Sequence, residues 1–262
     1  MITKKNISNL LKFIGLLPYI HIFKERYFPS SYFLNSLKED TRYLTFYGSF
    51  INEYDLCFDI GAHRGHRTNI FLNLGARVVA FEPQSHLSKY LQLKFGKKIF
   101  LENIGLGSSV QEMMMYISDT SSLSTFSVDW LSKAQDRFPQ VKWHKKKKIK
   151  VTTLDKMIEK YGVPNFCKID VEGFEYEVIQ GLTQPIKCIS IEFMTPENNE
   201  VIKNCLIHLQ GINPRILVNY SIGDTAQLCL DEWLNFTDAM AYFNQHLFNQ
   251  SNWGDIYIKM DL

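Results

Sequence analysis

The chain has 262 residues, 45% of them hydrophobic, which is enough for one sizeable core plus an appended segment. A formal net charge of +2 creates no global field for polyanions, so nucleic-acid binding is not expected. Cys57, Cys167, Cys188, Cys205 and Cys229 include no Cys-x-x-Cys pair and read as small hydrophobes in a reducing cytosol, not as metal ligands or disulfides.

The most apolar stretch near the start, Leu10 to Phe23, is broken by Lys12, Pro18 and His21 and falls short of the ~18 apolar residues that cross a bilayer. No small-residue cleavage site follows it, so the expected location is cytoplasmic. Within it, Ile7, Leu10, Leu11 and Ile14 share one helical face, with Lys4, Lys5 and Lys12 elsewhere. That pattern suits a helix packed on the domain or on a twin subunit in a homodimer; contact with an anionic membrane surface is the less favoured alternative. Leu34, Leu37, Thr41 and Leu44 suggest a second helix from near Ser36 to Gly48, expected to pack against the domain that follows. Residues 1–50 are thus expected to be an N-terminal helical extension ahead of one domain at 51–262.

From Tyr54 onward apolar strands alternate with amphipathic helices, the pattern of a doubly wound, mostly parallel sheet. The first strand, Tyr54 to Phe58, runs into Asp59-Ile60-Gly61-Ala62-His63-Arg64-Gly65 and then a helix opening near His66. Gly61 and Gly65 allow positive φ and close approach of a ligand, and the helix start offers N–H groups to an anionic group. The second strand, Arg77 to Phe81, ends on Glu82-Pro83, where a carboxylate can accept two hydrogen bonds from a ribose diol. The order Asp-x-Gly-x-x-x-Gly departs from the Gly-x-Gly-x-x-Gly of a dinucleotide site. Asp59 would repel phosphate and attract an ammonium, so S-adenosylmethionine fits better than a nicotinamide dinucleotide. A nicotinamide-dependent dehydrogenase and a non-catalytic scaffold on the same fold are the rival readings.

A third strand spans Lys98 to Glu102, after a helix with Leu87, Tyr90, Leu91 and Phe95 on one face. Alternation lapses between Met113 and Lys150, so this segment is expected to be an irregular substrate loop or lid. Its run Lys145 to Lys148 is either a solvated face or a contact to a phosphate or acidic glycan. Further strands are expected at Ile149–Thr152, Phe166–Asp170, Cys188–Phe193, Ile216–Val218 and Ile256–Ile258, with helices carrying Phe174, Val178 and Leu182 and then Val201 to Leu209. Seven strands with helices on both faces are expected in the sheet.

Lys168-Ile-Asp-Val-Glu-Gly-x-Glu175, taken with Asp59-Ile-Gly-Ala-His-x-Gly-x-x-Thr68 and Phe81-Glu82-Pro83, resembles the FkbM-type methyltransferases over about Tyr54 to Met260. Asn103-Ile-Gly-Leu, Thr153-Leu154-Asp155, Ile191-Glu192 and Gly254-Asp255-Ile256-Tyr257 are smaller matches. His63 stands where such proteins often carry Asn, and Gly105 where Ala is usual. The resemblance implies a Rossmann-like class I methyltransferase fold and S-adenosylmethionine as cofactor. It also implies a hydroxyl acceptor, most often on a sugar of a glycan, glycolipid or natural-product glycoside; an N-methyltransferase acting on an amine or amino sugar is the alternative.

Ligands of open α/β sheets sit beyond the carboxyl ends of the strands, which here carry Asp59, Glu82, Asp170 and Glu192. Asp59 is assigned to the methionine ammonium, and Gly61, Ala62, His63 and Gly65 to the backbone cradle. The motif adds Thr68. Glu82, followed by Pro83, is assigned to the ribose and Asn103 to the adenine edge. Asp170 is expected to touch both cofactor and acceptor, with Glu192 opposite it to orient or deprotonate a hydroxyl. Glu172 either joins the chemistry or, with Glu175, opens the next helix. His144 is a base only if the insert folds over the site. The acids could hold Mg²⁺ through oxygen but are not spaced as a dedicated site, so no metal site is assigned.

Overall fold

The structure, a computed structural model, describes residues 19, 20, 22 and 41–260. The helix expected over Ile7–Ile14 and the start of the one expected near Ser36 lie outside the described residues; residues 41–47 are helical and end at the turn containing Gly48. From there the chain runs β1 (Leu56–Ile60), α1 (His66–Asn73), β2 (Arg77–Phe81), α2 (Ser85–Phe95), β3 (Ile99–Glu102), β4 (Gly105–Leu106), β5 (Gln111–Ser118) and α3 (Val128–Arg137). It continues through β6 (Trp143–Thr152), α4 (Leu154–Tyr161), β7 (Phe166–Ile169), α5 (Glu175–Gln180), β8 (Cys188–Met194) and α6 (Asn199–Ile212). The last elements are β9 (Leu217–Ile222), β10 (Leu234–Asn235), α7 (Phe236–Tyr242) and β11 (Trp253–Lys259).

Among the described residues the main sheet has eight strands in the order β10-β9-β11-β8-β7-β1-β2-β3. β3, β2, β1, β7 and β8 are mutually parallel, while β11 runs antiparallel to both β8 and β9. The expected seven becomes eight through β10, whose two residues are too few to carry a periodic signal. β1 begins at Leu56, not Tyr54, because Tyr54 is exposed in a turn with φ of 70°.

Every residue of β1 and of β7 is buried, as expected of parallel strands covered on both faces. Alternate residues feed two cores. Leu56, Phe58 and Ile60 join one with Leu154, Val178 and Leu206, whereas Cys57 joins the other with Ile70, Phe71 and Leu91. The helix at 41–47 covers this second face through aromatic contacts: Tyr47 meets Phe71 and Phe166 edge-on at 5.3 and 5.6 Å. Phe50, just beyond, stacks on Tyr257 at 5.4 Å. Each such fully buried aromatic contributes about 1.5–3 kcal/mol.

The stretch 113–150, expected to be irregular, is mostly ordered structure. β5 and β6 form an antiparallel ladder from Gln111↔Val151 to Ser118↔Trp143, which β4 extends to a three-stranded sheet. Between them α3 is capped by Ser127, whose hydroxyl accepts the Trp130 N–H at 3.1 Å. The four lysines therefore lie in a strand. The strand expected at Ile149–Thr152 forms the end of β6, which begins earlier, at Trp143: Lys145 and Lys147 occupy positions on the same face as the buried Ile149 and Val151 yet are exposed, so the first half lacks the alternation that would have revealed it.

Candidate functional site

The tips of β1, β2, β7 and β8 converge, and the register Ile60↔Ile169↔Ile191 sets Asp170 and Glu192 side by side beyond it. Asp59, 3% exposed, accepts the Thr68 hydroxyl from α1, and burial raises its carboxyl above the usual range.

The loop after β1 does not present the open backbone expected of it. Gly61 and Ala62 donate their N–H groups to the Phe81 carbonyl, both at 3.0 Å, and Gly65 donates to Ala62 at 2.7 Å. His63 donates to Glu82 Oε2 at 2.9 Å. These donors tie β1 to β2 and leave no row of N–H groups at 61, 62, 63 and 65 for a pyrophosphate. A Cβ on Gly61, whose φ is +84°, would lie 1.8 Å from the Asp170 carbonyl oxygen, and one on Gly65 would lie 2.4 Å from the Phe95 ring. The bare positions thus serve close packing of β7 and α2 against the loop.

Glu82 is 2% exposed and each of its oxygens accepts one backbone N–H, Oε2 from His63 and Oε1 from Gln84 at 2.7 Å. Burial nevertheless pushes its carboxyl up to about 8. Asn103 does not line the cavity at Glu82: its amide donates to the Glu82 carbonyl at 2.7 Å, holding the turn instead of facing a base.

That cavity, of about 210 Å³, is lined by Gly61, His63, Glu82 and Pro83, with Ile104, Leu106, Phe126 and Phe174 as apolar walls. Ser121 and Ser124 of the insert also line it. Gln84 Nε2 donates to the Ser121 carbonyl at 2.9 Å, the Ser124 hydroxyl donates to Gln84 Oε1 at 3.3 Å, and His63 Nε2 lies 2.9 Å from Ser121 Oγ. Burial, with Arg64 nearby, lowers His63 to about 4, so this contact is made by a neutral imidazole. Ala62 lies off the main cavity, beside Asp59, Arg64 and Arg67.

Asp170, Glu172 and Glu192 bring carboxylate oxygens within 4.8 Å of one another. Lys168, 2% exposed, donates to Asp255 Oδ1 at 2.8 Å and lies 3.4 Å from Asp170 Oδ2. Burial alone would raise Asp170, but the Lys168 charge and a hydrogen bond from Glu192 outweigh it and hold Asp170 below its ordinary range. Burial and the Asp170 charge push Glu192 well up. Glu192 thus holds a proton more readily than Asp170, and burial with the Asp170 charge raises Glu172 as well. The trio has the spacing to hold a divalent ion, yet Lys168 already supplies the countercharge such an ion would bring.

Glu172 does not open α5. It sits before that helix with φ of 57°, and its carbonyl accepts the Thr125 hydroxyl at 2.7 Å. Glu175 secures the turn instead, its Oε1 accepting the N–H groups of Val171 and Gly173 at 3.2 and 3.0 Å. His144 is exposed on β6 and does not reach the cavity. Sequence reasoning gave no role to Gln84, Arg67, Lys168 or Asp255. Only Lys168 and Asp255 had a signal, since each lies inside a quoted motif.

A mostly parallel sheet with β11 and β10 reversed, a buried acid just beyond β2 and acids at the carboxyl ends of β1, β7 and β8 define a Rossmann-like class I methyltransferase. The family model for the methyltransferase FkbM domain matches residues 59–226, and the chain belongs to the FkbM family of S-adenosylmethionine-dependent methyltransferases. No curated protein matches the sequence. Among solved structures, the chain is similar to a precorrin-6y C5,15-methyltransferase from Geobacter metallireducens, with 10% identity over 84% of this chain and 87% of that one and a TM-score of 0.44. It is similar to a TehB-like SAM-dependent methyltransferase from Corynebacterium glutamicum, with 9% identity, 84% and 88% coverage and a TM-score of 0.43. A SAM-dependent O-methyltransferase from Thermotoga maritima aligns with 11% identity, 86% and 66% coverage and a TM-score of 0.39. Among the described residues no helix is long and apolar enough to cross a membrane.

Proposed function

We propose that the protein methylates oxygen, with a sugar hydroxyl of a glycan, glycolipid or glycoside as acceptor, and that the Glu82 cavity holds the adenosine of S-adenosylmethionine. The residues fit that group. Each Glu82 oxygen takes one backbone N–H and keeps a lone pair for one hydroxyl of a ribose diol, and the apolar walls suit a flat base. Asp59, with one oxygen engaged by Thr68, retains a second for a methionine ammonium.

When bound, the cofactor supplies a methyl group on sulfur that needs no further activation. The chain's own task is to hold the acceptor and take its proton. The Asp170–Glu192 pair carries this reading: Lys168 keeps Asp170 ionised, so its carboxylate can accept the hydroxyl proton, while the proton on Glu192 can orient the acceptor oxygen by hydrogen bonding. A neutral amine nucleophile would need no such base, which favours oxygen over nitrogen.

The test is mass spectrometry of polysaccharide and glycolipid from cells with and without the gene. Loss of one methyl from a sugar residue is the expected result. Unchanged glycan methylation, with S-adenosylhomocysteine still bound by the purified protein, would overturn the sugar assignment.

A further inference from the structure

Asp170 and Glu192 do not face one cavity only. A second cavity, of about 170 Å³, is lined by them and also by Arg67, Asp224, Trp253 and Asp255. The pair thus lines both spaces and is common to them. An acceptor in the second cavity would meet the proposed proton-accepting groups that also border the adenosine cavity.

The lining has a definite chemistry. Trp253 opens β11 and is 44% exposed. Gly223 lies under its ring edge: a Cβ there would sit 3.5 Å from the indole. The polar groups around it are fixed in place. The Arg67 guanidinium stands 4.1 Å over the Tyr43 ring and pairs with Asp224 Oδ1 at 2.9 Å, while the Tyr43 hydroxyl donates to the same oxygen at 2.7 Å. Lys168 is anchored on Asp255. The lining is chiefly polar, its carboxylates and cations offering hydrogen bonds to the hydroxyls of a sugar ring, with the Trp253 indole at its border as the one aromatic surface for a C–H face. Four carboxyl groups stand here against Arg67 and Lys168, and both cations are already paired, with Asp224 and Asp255, so an anionic group is disfavoured.

We propose that this second cavity is the acceptor site and takes one neutral pyranose ring, laid on the Trp253 indole with a hydroxyl directed to the Asp170–Glu192 pair. The inference rests on the methyl-transfer reading of the first cavity. The lysine-rich strand β6 contributes nothing to this lining.

The experiment uses the full chain saturated with S-adenosylhomocysteine and methyl α-glycosides of glucose, mannose, galactose, rhamnose and glucosamine as probes, read by saturation-transfer NMR. At least one neutral glycoside is expected to bind, and Trp253→Ala should weaken it about three- to tenfold, the size of an aromatic packing contribution, with Trp253→Phe restoring part of the loss. Asp224→Asn should weaken the same probe and leave S-adenosylhomocysteine binding intact. The inference is overturned if no neutral glycoside binds the loaded wild type, if only the glucosamine derivative does, or if Trp253→Ala binds as well as wild type. Calorimetry on the same samples separates the two claims. Failure to bind S-adenosylhomocysteine at all would refute the cofactor assignment, whereas glycoside silence in the loaded protein refutes only the acceptor site.

Discussion

Replacing Glu82 by Gln keeps the shape of the side chain and removes its capacity to accept on both oxygens. In the wild type the two oxygens receive the His63 and Gln84 N–H groups at 2.9 and 2.7 Å. Whichever way the new amide is turned, its NH₂ faces one of those donors and leaves it buried without an acceptor, costing about 1–3 kcal/mol of folding stability. Binding loses one charge-assisted hydrogen bond to the ribose as well, about 1.5–3 kcal/mol, which is on the order of 10- to 150-fold in affinity. Calorimetric titration with S-adenosylhomocysteine measures the second effect and urea denaturation the first. The pH dependence separates them further. Because Glu82 titrates at about 8, wild-type affinity should tighten as pH rises through that value and then level off, as the carboxylate form becomes available to the diol. Its contribution to folding runs the other way: a carboxyl raised from 4.5 to about 8 favours the folded state fully below 4.5, and that contribution is lost as pH rises through 8. Both dependences should flatten in Glu82→Gln. Wild-type affinity in the variant, or affinity insensitive to pH in the wild type, would refute the assignment of Glu82 to the ribose.

Gly61→Ala should destabilise by about 2–5 kcal/mol, from the left-handed φ and the clash with the Asp170 carbonyl, whereas Gly211→Ala in α6, where a Cβ meets nothing within 4 Å, should stabilise by about 0.5–1 kcal/mol in the same denaturation assay. Lys168→Met leaves Asp255 buried without its cation and should cost about 3 kcal/mol. In that variant Asp170 loses the charge that holds it down, so the acid limb of the kcat–pH profile should move to higher pH; an unmoved limb would remove Asp170 as the base. Asp170→Asn should lower kcat by about 10²–10⁴ with S-adenosylhomocysteine affinity changed far less, the range of a lost general base. Glu192→Gln should lower kcat by less, and a rate close to wild type would point to an amine acceptor.

The parallel strands β1, β2, β3, β7 and β8 were legible because buried parallel strands are continuous apolar runs and because Asp59, Glu82 and Asp170 end three of them. Of the hairpin, only the end of β6 at Ile149–Thr152 was legible; β5 and the start of β6 were not, since Lys145 to Lys148 erase alternation and the strand is fixed by its partner, Met114↔Lys148 and Tyr116↔Lys146 among the pairs. β10 is set by tertiary pairing with β9 alone. At the site, the acids could be read as a group, but the use of the glycines could not. Which atoms fill the space beside Gly61 depends on β7, more than a hundred residues away in sequence. Asn103 and Glu172 illustrate the same limit: a polar residue beyond a strand tip can hold a turn or face a ligand, and only the packed neighbours decide.

The most direct test is a crystal structure with S-adenosylhomocysteine. The ribose hydroxyls are expected on the two Glu82 oxygens, the base between Ile104 and Phe126, and the sulfur beside Asp170, turned toward the cavity that Trp253 borders. A ligand seated between Arg67 and Trp253 instead, or one whose ribose makes no contact with Glu82, would contradict the account.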